Sequence, residues 1–247
     1  MRKILCAGLM IGFFGASIFA QKQKPWTEWS KKEAEKTLNE SPWGQTQTET
    51  DTSQMTYSPT VTSTTAARKE DKNITSASNT ESGATNSPMS IKYRIRFLSA
   101  KPVREAFARM VTLMQQDKPN EALSAQLQSF VDRDFADYIV VAVSVEGTDR
   151  RYLGPAMESL SSATADTLKN NVYLERKDGK RLFLMDYRAP SQDGMGAKFV
   201  FPRTVDGQPF LKTENETVRF AAELNEKMKL NMRYKVSEMM YEGKLEY

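Results

Sequence analysis

The sequence predicts an α+β fold with a largely antiparallel β-sheet, open or folded into a sandwich, and with helices concentrated in the first half of the domain. Three observations predict it. Apolar and charged residues alternate from Ile91 to Phe97, and apolar residues recur at helical spacing between Val103 and Val131. From Val172 onward the pattern turns to short strands separated by Asp-Gly pairs, so a meander follows the helices.

Taken in order, residues 1–20 read as a secretory signal. Arg2 and Lys3 open it, an apolar run extends from Ile4 to Phe19, and the small Ala20 precedes the polar Gln21. Cleavage is expected after Ala20 or, with Gly15 three residues back, after Ser17. An uncleaved anchor is the alternative, but the run is short of the ~20 apolar residues a span needs. Cys6 stands at the start of the run, where a lipid-modified cysteine would not be. No later segment is apolar enough to span a bilayer.

Residues 21–45 form a tryptophan-rich helical motif. Ser30 and Glu33 have the spacing of a capping box, and Ala34 and Leu38 give the following helix, Lys31 to about Asn39, a narrow apolar face. So short a helix needs a surface for Trp26, Trp29 and Trp43. That surface is either the chain's own C-terminal domain or another protein.

Residues 46–89 are dense in Ser and Thr and poor in large apolar side chains, the composition of a flexible linker. Within them, Thr46, Thr48, Thr50 and Thr52 alternate with other polar residues, which also suits an exposed edge strand.

Residues 90–247 read as the α+β domain. A strand at Ile91–Phe97 has one wet face, Lys92, Arg94 and Arg96. Helices follow with Val103 to Met114 and from Asn120 to Val131, and the unbroken apolar run Tyr138–Val143 marks a strand covered on both faces. Pro155 favours a helix start, with the helix running to about Lys169. Strands at Val172–Arg176 and Arg181–Tyr187 flank an Asp178-Gly179 turn, and further strands are expected at Lys198–Phe201, Thr217–Leu224 and Lys229–Val236, with Asp206-Gly207 as another turn.

Composition excludes many chemistries. The chain has no histidine and one cysteine, which leaves with the signal, so there is no imidazole base, no thiolate nucleophile and no disulfide. Lack of disulfides in an exported chain leans towards a bacterial source. Thirty-five Lys and Arg stand against 31 Asp and Glu, near balance once Arg2 and Lys3 are removed, so no nucleic-acid partner is expected.

No catalytic motif, metal site or cofactor site is expected. Gly194-Met195-Gly196 lacks the third glycine of a dinucleotide loop, Phe199 standing in its place, and reads as a flexible hairpin loop. Asp132, Asp134 and Asp137 lack the glycine and distal glutamate of a calcium loop and read as a solvated helix end. The candidate binding residues are Trp26, Trp29 and Trp43, together with the basic row Lys92, Arg94 and Arg96. If their strands neighbour, Arg233 and Lys235 would extend that row, which suits either an acidic ligand or plain solvent. The expected function is an exported non-catalytic binding or envelope-structural module, with an envelope protein or polysaccharide as partner. The alternative is a hydrolase using paired carboxylates or a Ser/Lys arrangement.

The spaced residues Trp26, Trp29, Ser30, Glu33, Ala34, Leu38, Ser41, Pro42 and Trp43, with Val103-Arg104-Glu105-Ala106 and Tyr241-Glu242-Gly243-Lys244-Leu245-Glu246, resemble a group of uncharacterised exported proteins from Gram-negative soil bacteria. The resemblance implies a periplasmic or extracellular location and brings no activity or site residues.

Overall fold

A computed structural model describes residues 24–51, 89–115, 120–147 and 149–247. The expected signal and linker residues 52–88 lie outside the described residues.

A 3-10 turn at Trp26–Glu28 leads into α1, Lys31–Asn39. Its capping box is formed: Glu33 N donates to Ser30 Oγ at 3.3 Å, and Ser30 N donates to the Glu33 carboxylate at 2.6 Å. β1, Gly44–Asp51, follows and pairs antiparallel with β2, Met89–Phe97, from Gly44 opposite Arg96 to Asp51 opposite Met89. The linker read from composition therefore loses Thr46–Asp51 to an edge strand. Composition measures the burial a segment can achieve alone, whereas this strand is held by its ladder to β2.

α2, Lys101–Met114, carries Pro102 in its first turn. In α3, Glu121–Val131, Leu123 N donates to the Asn120 side chain at 2.8 Å, closing the N-terminus. β3, Tyr138–Gly147, is buried on both faces from Ile139 to Val143, as its unbroken apolar run requires.

α4 departs from expectation. It spans Arg150–Ser162 with Pro155 inside it, because Asp149 caps it by accepting from Arg151 N at 2.9 Å. The first turn thus forms upstream of the proline. The helix stops before Lys169 because Thr164 and Thr167 cap each other and restart the chain as α5, Ala165–Leu168.

β4, Val172–Arg176, and β5, Arg181–Phe183, form a hairpin whose Gly179 has φ 83°. The run expected to continue to Tyr187 instead changes sheets: Leu184 N donates to Val172 O at 3.1 Å, and Met185 N to Val200 O at 2.9 Å. β6, Asp186–Arg188, then pairs with β7, Ala197–Pro202. The small hairpin of β8, Thr204–Val205, and β9, Gln208–Pro209, turns on Asp206-Gly207. β10, Thr217–Glu223, and β11, Lys229–Lys235, precede a last hairpin, β12, Met240–Tyr241, and β13, Lys244–Leu245.

The ladders build a five-stranded sheet, β1-β2-β3-β7-β6, and a four-stranded sheet, β11-β10-β4-β5, with antiparallel neighbours throughout. They share one core, so of the two arrangements left open the sandwich is the one formed. Rings interlock across it edge to face: Phe97 with Tyr234 at 4.9 Å and Phe199 with Phe220 at 5.4 Å. The sheets are joined at both sides. At one, the chain crosses at Leu184-Met185; at the other, the Gln47 side chain of β1 donates to Lys229 O at 2.9 Å and accepts from Asn231 N at 2.8 Å in β11.

The outer faces differ. α1, α2 and α3 stand over that of the five-stranded sheet, whereas Arg181, Phe183, Asn231, Arg233 and Lys235 on the four-stranded sheet are exposed.

Candidate binding site

The three tryptophans dock on the chain's own domain. Trp29 and Trp43 belong to the core, 9% and 8% exposed, and Trp26 packs half-buried against it. The Trp29 indole N–H donates to Lys24 O at 2.9 Å, and that of Trp43 to Glu246 O at 2.8 Å. With polar atoms satisfied and rings covered, Trp29 and Trp43 present no free binding surface.

The basic row is divided rather than continuous. Lys92 is exposed; Arg94 donates to Thr46 Oγ1 at 2.7 Å and pairs with Glu146 at 3.0 Å. Arg96, which alternation places on the wet face, is buried because α1 lies over it. Its guanidinium donates to Leu38 O at 3.1 Å, Asn39 Oδ1 at 2.8 Å and Ser144 Oγ at 3.1 Å. Burial lowers its pKa to about 10, which leaves it charged at neutral pH against the negative end of α1. Arg96 is therefore a clamp for α1. Arg233 and Lys235 do not extend the row, since β11 lies in the other sheet.

The separated sequence pieces quoted above meet around three buried side chains, Trp43, Glu105 and Tyr241. Trp43 lies edge-on to Tyr241 at 6.1 Å, and the Tyr241 hydroxyl donates to the Glu105 carboxylate. Lys101 Nζ lies 3.9 Å from Glu105 and 3.6 Å from Glu242, while Lys101 N donates to Glu246 at 3.3 Å. Next to it, Arg104 is buried and donates to Val131 O at 3.0 Å, to Leu98 O at 3.3 Å and to Ser99 O, and stands over the Phe135 ring at 4.9 Å.

Burial raises the pKa of Glu105, partly opposed by the Tyr241 hydroxyl. Below the ordinary glutamate range the folded and unfolded chains both hold the proton, and its stabilising contribution is full. As pH rises from there through the raised folded value, the folded chain holds more proton than the unfolded one, so stability falls. Glu105→Gln, which still accepts from Tyr241 without the charge, is expected to be about 1 kcal/mol more stable at pH 8 and to flatten this fall. Thermal unfolding of both proteins from pH 4 to 8 measures it, and parallel curves would refute the assignment.

The concave feature best placed for a ligand lies on the outer face of the five-stranded sheet, between α3 and the β6–β7 loop, with a volume of about 600 Å³. Val140 and Val200 form its rigid floor, and Phe130, Phe135, Tyr138, Met185 and Met195 its apolar walls. Tyr138 and Met185 are 45% and 48% exposed. Arg133, Asp134, Asp186 and Arg188 line its rim, together with Lys198, which pairs with Asp193 at 2.6 Å. Hydrogen bonds to Lys198 and Met195 N outweigh burial and hold the Asp193 carboxyl below its usual range. Size and lining suit an apolar or aromatic group with a charged end, and methionine walls adapt their shape to what enters.

The sequence drew attention to Asp134, Met195 and Tyr138 for other reasons and gathered none of these residues into a site. They come from α3, β3, β6, β7 and the loops between, and no local pattern gathers them. The loop at Gly194-Met195-Gly196 joins the β6–β7 hairpin as expected, and its far end is fixed by a close approach the sequence does not reveal. Gly196, φ 82°, is pressed against β3, where a Cβ would stand 2.1 Å from Val143 O. Asp132 and Asp134 serve the end of α3, accepting from Gln128 Nε2 at 2.7 Å and Ala136 N at 2.9 Å. Among the described residues no acidic cluster is placed to hold a metal ion, and no helix is long and apolar enough to cross a membrane.

Fold and groove together define a two-sheet antiparallel sandwich with helices over one face. No family model matches the chain, and no curated protein matches its sequence. It is similar to a crystal structure of a novel protein of unknown function from Burkholderia pseudomallei, at 10% identity and a TM-score of 0.40, over 58% of this chain and 74% of that one. A likeness of that size carries no argument about function.

Proposed function

We propose that the protein is an exported, non-catalytic binding module that acts in the periplasm or outside the cell, and that the groove between α3 and the β6–β7 loop takes its ligand. The observation that carries the reading is the gathering of Tyr138, Met185, Met195, Phe130 and Phe135 around one open concavity on a rigid sheet. Apolar side chains left open to water in a single hollow mark an interaction site. An apolar or aromatic group of an envelope component would enter it, its charged end meeting the rim of Arg133, Arg188 and Asp186. The export signal read at residues 1–20 supports the location.

A hydrolase acting through paired carboxylates needs one acid with raised proton affinity facing its substrate. Glu105 has the raised affinity, but it is buried against Tyr241 and lines none of the groove.

Methyl-labelled methionine spectra test the groove. Titration with a panel of small aromatic and aliphatic acids and amines is expected to shift Met185 and Met195 and to leave the buried Met228 and Met239 in place. Met185→Gln should weaken that binding about tenfold, the scale of one lost apolar contact. A panel that moves no groove methionine, or robust turnover of esters, glycosides, peptides or phosphate esters that survives repurification, would overturn the proposal.

A further inference from the structure

The exposed face of the four-stranded sheet carries its own chemistry. Register sets Phe183 opposite Tyr173 in one cross-strand row, and in the next it sets Arg181 opposite Glu175, Glu175 opposite Arg219 and Arg219 opposite Arg233. A further step brings Lys235 opposite Thr217. An aromatic row therefore lies beside a cationic one on the same side of the sheet.

The arginines are fixed in place. The guanidinium carbons of Arg181 and Arg219 stand 4.5 and 5.8 Å from the centre of the Tyr173 ring, and both side chains pair with Glu175, Arg181 at 2.9 Å. One carboxylate is thus shared between two cations. Arg233 has no carboxylate partner among the described residues. A shallow hollow of about 550 Å³ opens beside them, lined by four cations, Arg176, Lys177, Arg219 and Arg233, and two carboxylates, Glu175 and Glu216. Positive charge is therefore in excess, and Arg233 is the cation left for a ligand. Phe183 is 48% exposed next to this row.

We propose that this sheet face binds an acidic polysaccharide whose sugars bear carboxylates. The apolar face of a sugar ring lies flat on an aromatic side chain such as Phe183 or Tyr173, while planar guanidinium groups hold carboxylates through paired hydrogen bonds. An uncovered sheet face with the two kinds of row side by side offers both contacts to successive sugars of an extended chain. Charge complementarity selects a polyanion, and the choice of a glycan over a nucleic acid rests on the export reading. The proposal is independent of the groove on the other sheet.

Affinity electrophoresis of the mature protein in native gels tests it, with polygalacturonate as the probe and neutral dextran as the control. Polygalacturonate is expected to retard the protein and dextran to leave it unretarded, with retardation fading as salt rises. The double variant Phe183→Ala, Arg233→Gln changes two exposed side chains, so folding should be kept; its affinity should fall about tenfold. A charge reversal, Arg233→Glu, should abolish retardation. Met185→Gln, in the groove, should behave as wild type. Absent retardation, retardation unchanged in both sheet variants, or equal retardation by single-stranded DNA would overturn the proposal. Fragment binding in the groove without polygalacturonate retardation would sink this inference and leave the groove reading standing.

Discussion

Trp43→Ala is expected to lower the unfolding free energy by about 4 kcal/mol, the scale of truncating a buried aromatic ring. The ring is 8% exposed and lies edge-on to Tyr241, and its N–H donates to Glu246 O, so alanine leaves a cavity and an unpaired carbonyl together. The loss spreads further because Tyr241 is also the partner of Glu105. Trp26→Ala, at a half-buried ring, should cost less. Urea unfolding of the two variants measures both. Native emission should be blue-shifted and poorly quenched, since all three tryptophans lie in this segment. If the segment instead gripped a partner, Trp43→Ala would leave folding unchanged and the emission would be red-shifted. Either result would refute the docked arrangement.

Local signals were legible where the chain settles its own structure. The Ser30 and Glu33 pair marks the start of α1, Asn120 that of α3, and the apolar run at Ile139–Val143 identifies the central strand. What the sequence did not show is which face a distant element covers. Alternation correctly puts Arg94 and Arg96 on one side of β2, but only the folded chain lays α1 across Arg96 and leaves Arg233 open. The same limit hid the sheet change at Leu184-Met185, because a run of strand-forming residues does not state which neighbour each half will pair with. The groove between α3 and the β6–β7 loop was the least legible feature. Its walls come from Phe130, Tyr138, Met185 and Met195, which share no spacing and become neighbours only when β3 and β7 pair. The three quoted motif pieces were visible as residues, but their meeting around the buried Trp43, Glu105 and Tyr241 is a tertiary fact.

The two outer faces of the sandwich differ in the chemistry they expose. Helices cover most of one face and leave an apolar groove, which suits a compact group entering a hollow. The other face lacks such cover and shows aromatic and cationic rows, which suit an extended polyanion. Arg96 and Arg219 illustrate the difference on one residue type: the first spends its hydrogen bonds on backbone and side-chain oxygens of its own chain, the second shares a single carboxylate with Arg181.

Gly196→Ala is expected to cost about 4 kcal/mol, and Gly194→Ala, two residues away, only about 1 kcal/mol. Both glycines adopt the left-handed backbone, at φ 82° and 75°, so each substitution carries the strain of a side chain at positive φ. They differ in what the new methyl meets. At Gly194 the nearest atom is Phe107 Cζ at 3.8 Å, an ordinary contact. At Gly196 it is Val143 O at 2.1 Å with Val143 C at 2.7 Å, backbone of the central strand that cannot retreat without breaking its ladders to β2 and β7. Relief must come from the loop instead, and that loop holds Met195 against the groove and Asp193 against Lys198. Gly196→Ala should therefore weaken fragment binding at Met185 and Met195 as well as stability, whereas Gly194→Ala should leave binding near wild type. Urea midpoints and methionine-methyl titrations of the two variants decide it: equal costs, or a destabilised Gly196→Ala that binds normally, would show that the close approach to β3 does not shape the groove.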